Sequence, residues 1–137
     1  MSIEDSFQNI SDDFSYLDGW EDKYKYVIEL GQQLPSLDDV YKVEAYKIKG
    51  CTSQVWLKIS VDDQNIMTIG GDSDAHIVKG LVAILIAYYS GQTTTDIQQN
   101  DATKLFAHIG LADQLTPQRA GGLHAMINRI QRAANDH

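Results

Sequence analysis

The run Val55-Trp56-Leu57-Lys58-Ile59-Ser60-Val61-Asp62-Asp63-Gln64-Asn65-Ile66-Met67-Thr68-Ile69-Gly70-Gly71 decides the fold. Val55, Leu57, Ile59 and Val61 recur at every second position, the period of a strand with one buried face. Asp62-Asp63-Gln64-Asn65 carries the residues of a hairpin loop. Ile66 to Ile69 then reads as the return strand, with Gly70-Gly71 expected to end the sheet. A further apolar run upstream, Val43 to Ile48, is predicted to add a third strand, giving a three-stranded antiparallel sheet.

Helical signals flank this sheet on both sides. Residues 3 to 16 place Phe7, Ile10 and Phe14, with Leu17 beyond, at spacings of three and four, the pattern of an amphipathic helix. Asp18 and Glu21 have the form of a capping box for a second helix whose face is Trp20, Tyr24, Val27 and Ile28; it ends at Gly31, and Pro35 bars extension. Asp72-Ser73-Asp74 is expected to cap a central helix running through Ile77, Val78, Leu81, Val82, Leu85 and Tyr88 to Gly91. Shorter helical pieces are predicted at Thr93 to Ile97 and Asp101 to Ile109. Thr116 as cap and Pro117 at the first position open a last helix with Leu123, Met126, Ile127 and Ile130 on one face. Strands in the middle and helices on either side make an α+β domain, read as one unit over residues 1–137.

Composition narrows the function. A chain of 137 residues that is 43% hydrophobic buries about two thirds of its unfolded surface without disulfides or metal. A formal charge of -8 and a pI near 4.7 argue against a nucleic-acid phosphate binder and suit a basic protein partner. Met1-Ser2-Ile3-Glu4-Asp5-Ser6 lacks the basic and apolar regions of a secretory signal. The longest apolar run, Leu81 to Tyr89, is too short to span a bilayer, so a cytoplasmic location is expected.

The chain holds one cysteine, in Lys49-Gly50-Cys51-Thr52-Ser53-Gln54. A single thiol excludes an internal disulfide, a four-cysteine zinc site and a cluster cage, leaving an inert packed thiol or a reactive one. Gly50 permits unusual backbone angles and Thr52, Ser53 and Gln54 are polar, so Cys51 is expected on an irregular connection before a strand, where reactive groups are commonly carried. Lys47, Lys49, Lys58 and Arg119 are candidate cations for lowering the thiol pKa, and a solvated face is the ordinary use of the lysines. Arg119 stands out, because a cation in the first turn opposes the helix dipole.

The other candidates are ordinary by comparison. His76, His108, His124 and His137 lack metal-ligand spacing, although His76 is a candidate base for Cys51. Asp72 and Asp74 are explained by capping and still suit a contact surface. Trp20 and Trp56 read as core anchors. Gly70-Gly71 before a helix lacks a phosphate-binding fingerprint, and the adjacent aspartates repel phosphate.

Four fragments in register resemble the SufE family of sulfur-acceptor proteins, from about Trp20 to Ala134. They are Glu29-Leu30-Gly31 with Leu34-Pro35; Gly50-Cys51-Thr52-Ser53-Gln54-Val55-Trp56-Leu57; Gly71-Asp72-Ser73-Asp74-Ala75 with Ile77-Val78-Lys79-Gly80-Leu81; and Leu115-Thr116-Pro117-Gln118-Arg119 with Gly122-Leu123 and Ala125-Met126. The resemblance implies an α+β fold like that of IscU-type scaffold proteins. It implies that Cys51 accepts the outer sulfur of a persulfide from a PLP-dependent cysteine desulfurase of the SufS kind, stimulating that enzyme, and passes it to a SufBCD-like scaffold complex. This chain itself would bind no cofactor and no metal, since PLP belongs to the desulfurase. Gly50, Thr52, Ser53, Gln54, Asp72, Asp74, Lys79 and Arg119 are then the expected partner contacts, and a homodimer is left open. The motif wording favours SufE proper over CsdE-type acceptors. A second reading, a stand-alone cysteine hydrolase or transferase with His76 as base, also stays open at this point.

Overall fold

A computed structural model describes residues 1–137. Helix α1 (Ile3–Ser15) starts at a reciprocal cap in which Ser2 Oγ accepts the Asp5 amide at 3.0 Å and the Asp5 carboxylate accepts the Ser2 amide at 3.3 Å. Helix α2 (Gly19–Gln33) lacks the expected Asp18–Glu21 box: the Asp18 side chain makes no cap bond. With Gly19 at φ +74° the entry turn brings Asp22 over the Asp18 amide instead, at 3.3 Å.

The sheet has two strands rather than three. β1 (Val55–Val61) and β2 (Met67–Ser73) pair antiparallel, with Val55 opposite Ser73 and Val61 opposite Met67. The expected strand over Val43 to Ile48 is replaced by single 3₁₀ turns at Asp39–Tyr41 and Glu44–Tyr46 and one isolated bridge, Lys47 to Trp56. Val43 is exposed and only Ile48 is buried, so the run has no alternating face to lay on a core. Lys42 is drawn to Asp72 at 3.2 Å, which curls the segment across the end of the sheet.

Nor does Gly70-Gly71 end the sheet; β2 continues to Ser73. A Cβ at Gly71 would lie 2.7 Å from Val82 Cγ1, so the glycine lets the strand pass close beneath the central helix α3 (His76–Tyr89). The Asp72-Ser73-Asp74 run does not cap α3. Its N-cap is Ala75 with no side-chain bond, because Asp72 is still in the strand and Asp74 is turned toward Gln54. Beyond it lie α4 (Thr94–Gln99), α5 (Ala102–His108) and α6 (Pro117–Asn135). Helix α6 starts as expected, with Pro117 in its first turn and Thr116 Oγ1 accepting the Arg119 amide at 3.3 Å.

α3 lies between α2 and β2, and its apolar surface runs nearly all round. It crosses α2 where two glycines meet: a Cβ on Gly80 would strike the Val27 carbonyl oxygen, and one on Gly31 would come within 2.8 Å of the Gly80 nitrogen. α6 covers β1 and α4, joining one cluster of 28 buried apolar residues. No helix is long and apolar enough to cross a membrane.

Asp72 is the one ion buried in this frame, with its side chain 4% exposed. Its carboxylate accepts the amides of Leu37 at 3.0 Å and Ser73 at 2.8 Å and pairs with Lys42 at 3.2 Å and Lys79 at 3.3 Å. Burial alone would raise its pKa, but those four donors outweigh it and hold the carboxyl below the usual aspartate value. Asp72→Asn should therefore cost about 2–3 kcal/mol in urea unfolding at neutral pH. Because the folded pKa is depressed, the native contribution is complete above the ordinary aspartate pKa and is lost as pH falls through the lower folded value. The gap between native and variant should narrow over that acidic window.

Candidate functional site

Cys51 follows Gly50, which takes φ +92°, on the short connection leading into β1. The connection is clasped at its base by the end of β2. The Gln54 amide donates to Asp74 Oδ1 at 3.0 Å, the Asp74 amide to the Gln54 carbonyl at 3.2 Å, and Ser73 Oγ to that same carbonyl at 2.8 Å. On the other side the Ile48 amide donates to the Val55 carbonyl at 2.8 Å. These bonds fix the ends of the loop that carries the half-buried Cys51.

The thiol meets the first half of α6. Cys51 Sγ lies 3.5 Å from the Gly122 carbonyl oxygen, to which it is a donor. A Cβ at Gly122 would sit 3.2 Å from Sγ, so the sulfur occupies the groove that the missing side chain leaves. Around it is a cavity of about 260 Å³, walled by Val78 and Leu81 of α3, Leu123 and Met126 of α6, and the polar ends of Thr52, Ser53, Gln118 and Arg119. A water molecule occupies roughly 30 Å³ in the liquid, so the space admits added sulfur beside the thiol.

Burial pushes the Cys51 thiol above its ordinary pKa and no charge offsets it. The expected lowering by Lys47, Lys49, Lys58 or Arg119 is thus absent in this resting form. Of the four, only Arg119 lines the cavity; Lys58 lies over the Tyr41 ring, with Nζ 4.1 Å from its centre. None of the four histidines lines it either: His76 is exposed, and His108 is held by Ser11 Oγ at 2.9 Å beside Phe7. No three His, Cys, Asp or Glu side chains gather closely enough to hold a metal ion.

Of the residues singled out from sequence, Cys51, Thr52, Ser53 and Arg119 share the cavity. Gly50, Gln54 and Asp74 shape the loop. Asp72 and Lys79 stand apart, in the ion cluster with Lys42 at the edge of the sheet. Gly122, Leu123, Met126, Val78, Leu81 and Gln118 were not anticipated as site residues. The Thr116-Pro117 start of α6 was legible, but not which face of that helix would meet a loop 71 residues earlier.

One half-buried thiol, set in an open cavity of mixed apolar and polar lining where a loop meets two helices and with no histidine in it, defines a small α+β protein built around a single cysteine. The chain belongs to the SufE family: residues 8–134 match the model of that family, described as the Fe-S metabolism associated domain. It is 50% identical over 132 residues to an uncharacterized SufE-like protein of Rhizobium etli, covering 94% of this chain and 89% of the relative. To one of Rhizobium meliloti it is 47% identical over 132 residues, covering 94% of both. The solution structure of a hypothetical protein from Thermus thermophilus shares the fold, with a TM-score of 0.77 over 96% of this chain and 94% of that one at 17% identity. Membership ties the protein to iron-sulfur metabolism.

The alkylation rate of Cys51 by iodoacetamide, followed against pH, should turn over above the free-thiol value. Asp74→Ala, which removes the acceptor of the Gln54 amide, should raise the rate at neutral pH several-fold and bring the midpoint down toward that of a free thiol. An unchanged profile would mean that the clasp does not hold the thiol in.

Proposed function

We propose that Cys51 is a sulfur acceptor that takes the outer sulfur of a persulfide on a PLP-dependent cysteine desulfurase, stimulates that enzyme, and carries the sulfur to an iron-sulfur assembly scaffold. The observation that carries this reading is the seat of the thiol: one sulfur against Gly122, in a cavity with spare volume, and no histidine within it. Transfer needs little more. The Cys51 thiolate attacks the sulfane sulfur, a new S–S bond forms on Cys51, the bond within the donor persulfide breaks, and the donor cysteine leaves as a thiolate. The oxidation level of sulfur is passed on whole, so no oxidant or reductant is consumed.

The resting seat is unfavourable for that attack, since burial favours the neutral thiol. The partner must draw the loop outward, and Gly50, Thr52, Ser53, Gln54, Asp74, Lys79 and Arg119 are proposed as its contacts, with Asp72 acting through its hold on β2 and Lys79. Once loaded, the persulfide can fall back into the cavity, where Val78, Leu81, Leu123 and Met126 limit its contact with water and oxidants. The alternative of a self-contained hydrolase finds no support in the geometry, because a nucleophilic cysteine of that class needs a base within hydrogen-bond reach.

Incubation with the desulfurase of the same organism and L-cysteine, followed by intact mass measurement before and after reduction, tests the reading. The native chain should gain one or more sulfur atoms, mapped to Cys51 and removed by reductant. Cys51→Ser should gain none and should abolish stimulation of the desulfurase while keeping the native circular dichroism. Full stimulation by that variant would refute the proposal.

A further inference from the structure

A second concavity, of about 850 Å³, runs beside the Cys51 loop between the Glu44–Lys49 segment and the outer face of α6. Its charge runs against that of the molecule. The whole chain has 19 acidic residues and 11 Lys and Arg, yet Lys47, Lys49, Arg129 and Arg132 line this groove against one carboxylate, Glu44. The three ion pairs of the fold all involve Lys42 or Lys79, so none of these four cations is held in a close ion pair, although Arg129 and Arg132 also border a concavity that contains Asp136. Lys47 and Arg129 are half-buried in its walls, whereas Lys49 and Arg132 are exposed. Four cations lining one groove give it a local positive potential that suits an anionic occupant.

We infer that this groove receives an acidic segment of the protein that docks at the Cys51 loop. For the identity of that protein the inference rests on the sulfur-acceptor reading; for the chemistry of the segment it rests on the groove alone. The groove and the site are neighbours: Lys49 of the groove lies two residues before Cys51, and the Cβ position of the intervening Gly50 lies 3.6 Å from Ala125 Cβ in the groove wall. A partner engaging one therefore reaches the other. Nucleic acid is the poorer occupant, because a polyphosphate extending past the groove meets the field of a chain with net charge -8. A short run of Asp and Glu needs only the local patch. The wall from Ala125 to Asn135 spans about 15 Å of helix, the length of about ten residues of a helical partner segment. Contact there would steer a desulfurase onto the loop and hold it while Cys51 turns out.

The full-length chain, isotopically labelled, is titrated with a peptide of about ten residues, half of them glutamate, and amide shifts are followed. Shifts confined to residues 44–49 and 125–135, fading at high salt, are expected. Arg129→Glu with Arg132→Glu should weaken the peptide about tenfold or more. Lys25→Glu with Lys104→Glu, the same charge change at exposed positions on α2 and α5, should leave it unaltered. Absence of shifts in the groove, equal weakening by both pairs, or tighter binding there of a single-stranded oligonucleotide would overturn the inference. Calorimetry with the desulfurase then separates the two ideas. A native chain that binds the desulfurase no better than the Arg129/Arg132 variant does sinks the assigned partner contact. If the native chain takes the peptide in the groove but shows no sulfur gain with an active desulfurase, it is the sulfur-acceptor reading that fails.

Discussion

The site depends on a carboxylate that is not in it. Asp72 is buried at the end of β2 with two ammonium groups and two amides around it, and removing any partner would leave charge in a low-dielectric place. That need ties three separate parts of the chain together: Leu37 and Lys42 from the segment after α2, Ser73 from the strand, and Lys79 from the first turns of α3. With Asp72 fixed, the next two residues have fixed directions. Ser73 and Asp74 then clasp Gln54, three residues beyond Cys51, whose half-buried sulfur lies against Gly122. The order of dependence runs from electrostatics to strand end, to loop, to thiol.

How much of this is legible in the sequence follows from how local each interaction is. The first strand reads correctly from the alternation in Val55 to Val61, although Trp56 on the other face is buried too and the return strand runs on to Ser73 past the expected stop at Gly70-Gly71; the start of α6 reads correctly because Thr116 caps an amide three residues on. The segment around Val43 misleads: extended propensity is present, but Lys42 is claimed by a carboxylate 30 positions away in sequence and the run never gains a face to bury. Asp72 and Asp74 mislead for the same reason. Their spacing before an apolar helix is that of a cap, and only the long-range partners Leu37 and Gln54, 35 and 20 residues distant, assign them otherwise.

For the site, the loop sequence around Cys51 showed where the thiol sits in the chain, not what it faces. Gly122 is a mid-helix glycine with a conformational cost of about 1 kcal/mol relative to alanine and no local signal of why it is tolerated. The reason is the sulfur packed against it. The unanticipated wall residues Val78, Leu81, Leu123 and Met126 carry the ordinary periodicity of core positions, and the cavity arises because the loop does not fill the space between the two helices that they face.

Withdrawal of the thiol sets the energetics of any chemistry it performs. Every tenfold weakening of the thiol as an acid corresponds to about 1.4 kcal/mol favouring the neutral, unreactive form, and the same shelter that slows adventitious oxidants slows a legitimate donor equally. Only a partner that binds the turned-out loop better than the turned-in one can distinguish the two. The bonds holding the loop are few: three to the end of β2 and one from Ile48 to Val55, each worth about 1 kcal/mol net, with a weaker thiol contact to Gly122. On the sulfur-acceptor proposal, moderate differential contact would suffice to turn the thiol out, whereas a small oxidant, which makes no such contact, would not shift the loop. Selectivity for the proposed partner would then reside in the opening equilibrium of the loop, and the nucleophile itself could remain an ordinary cysteine.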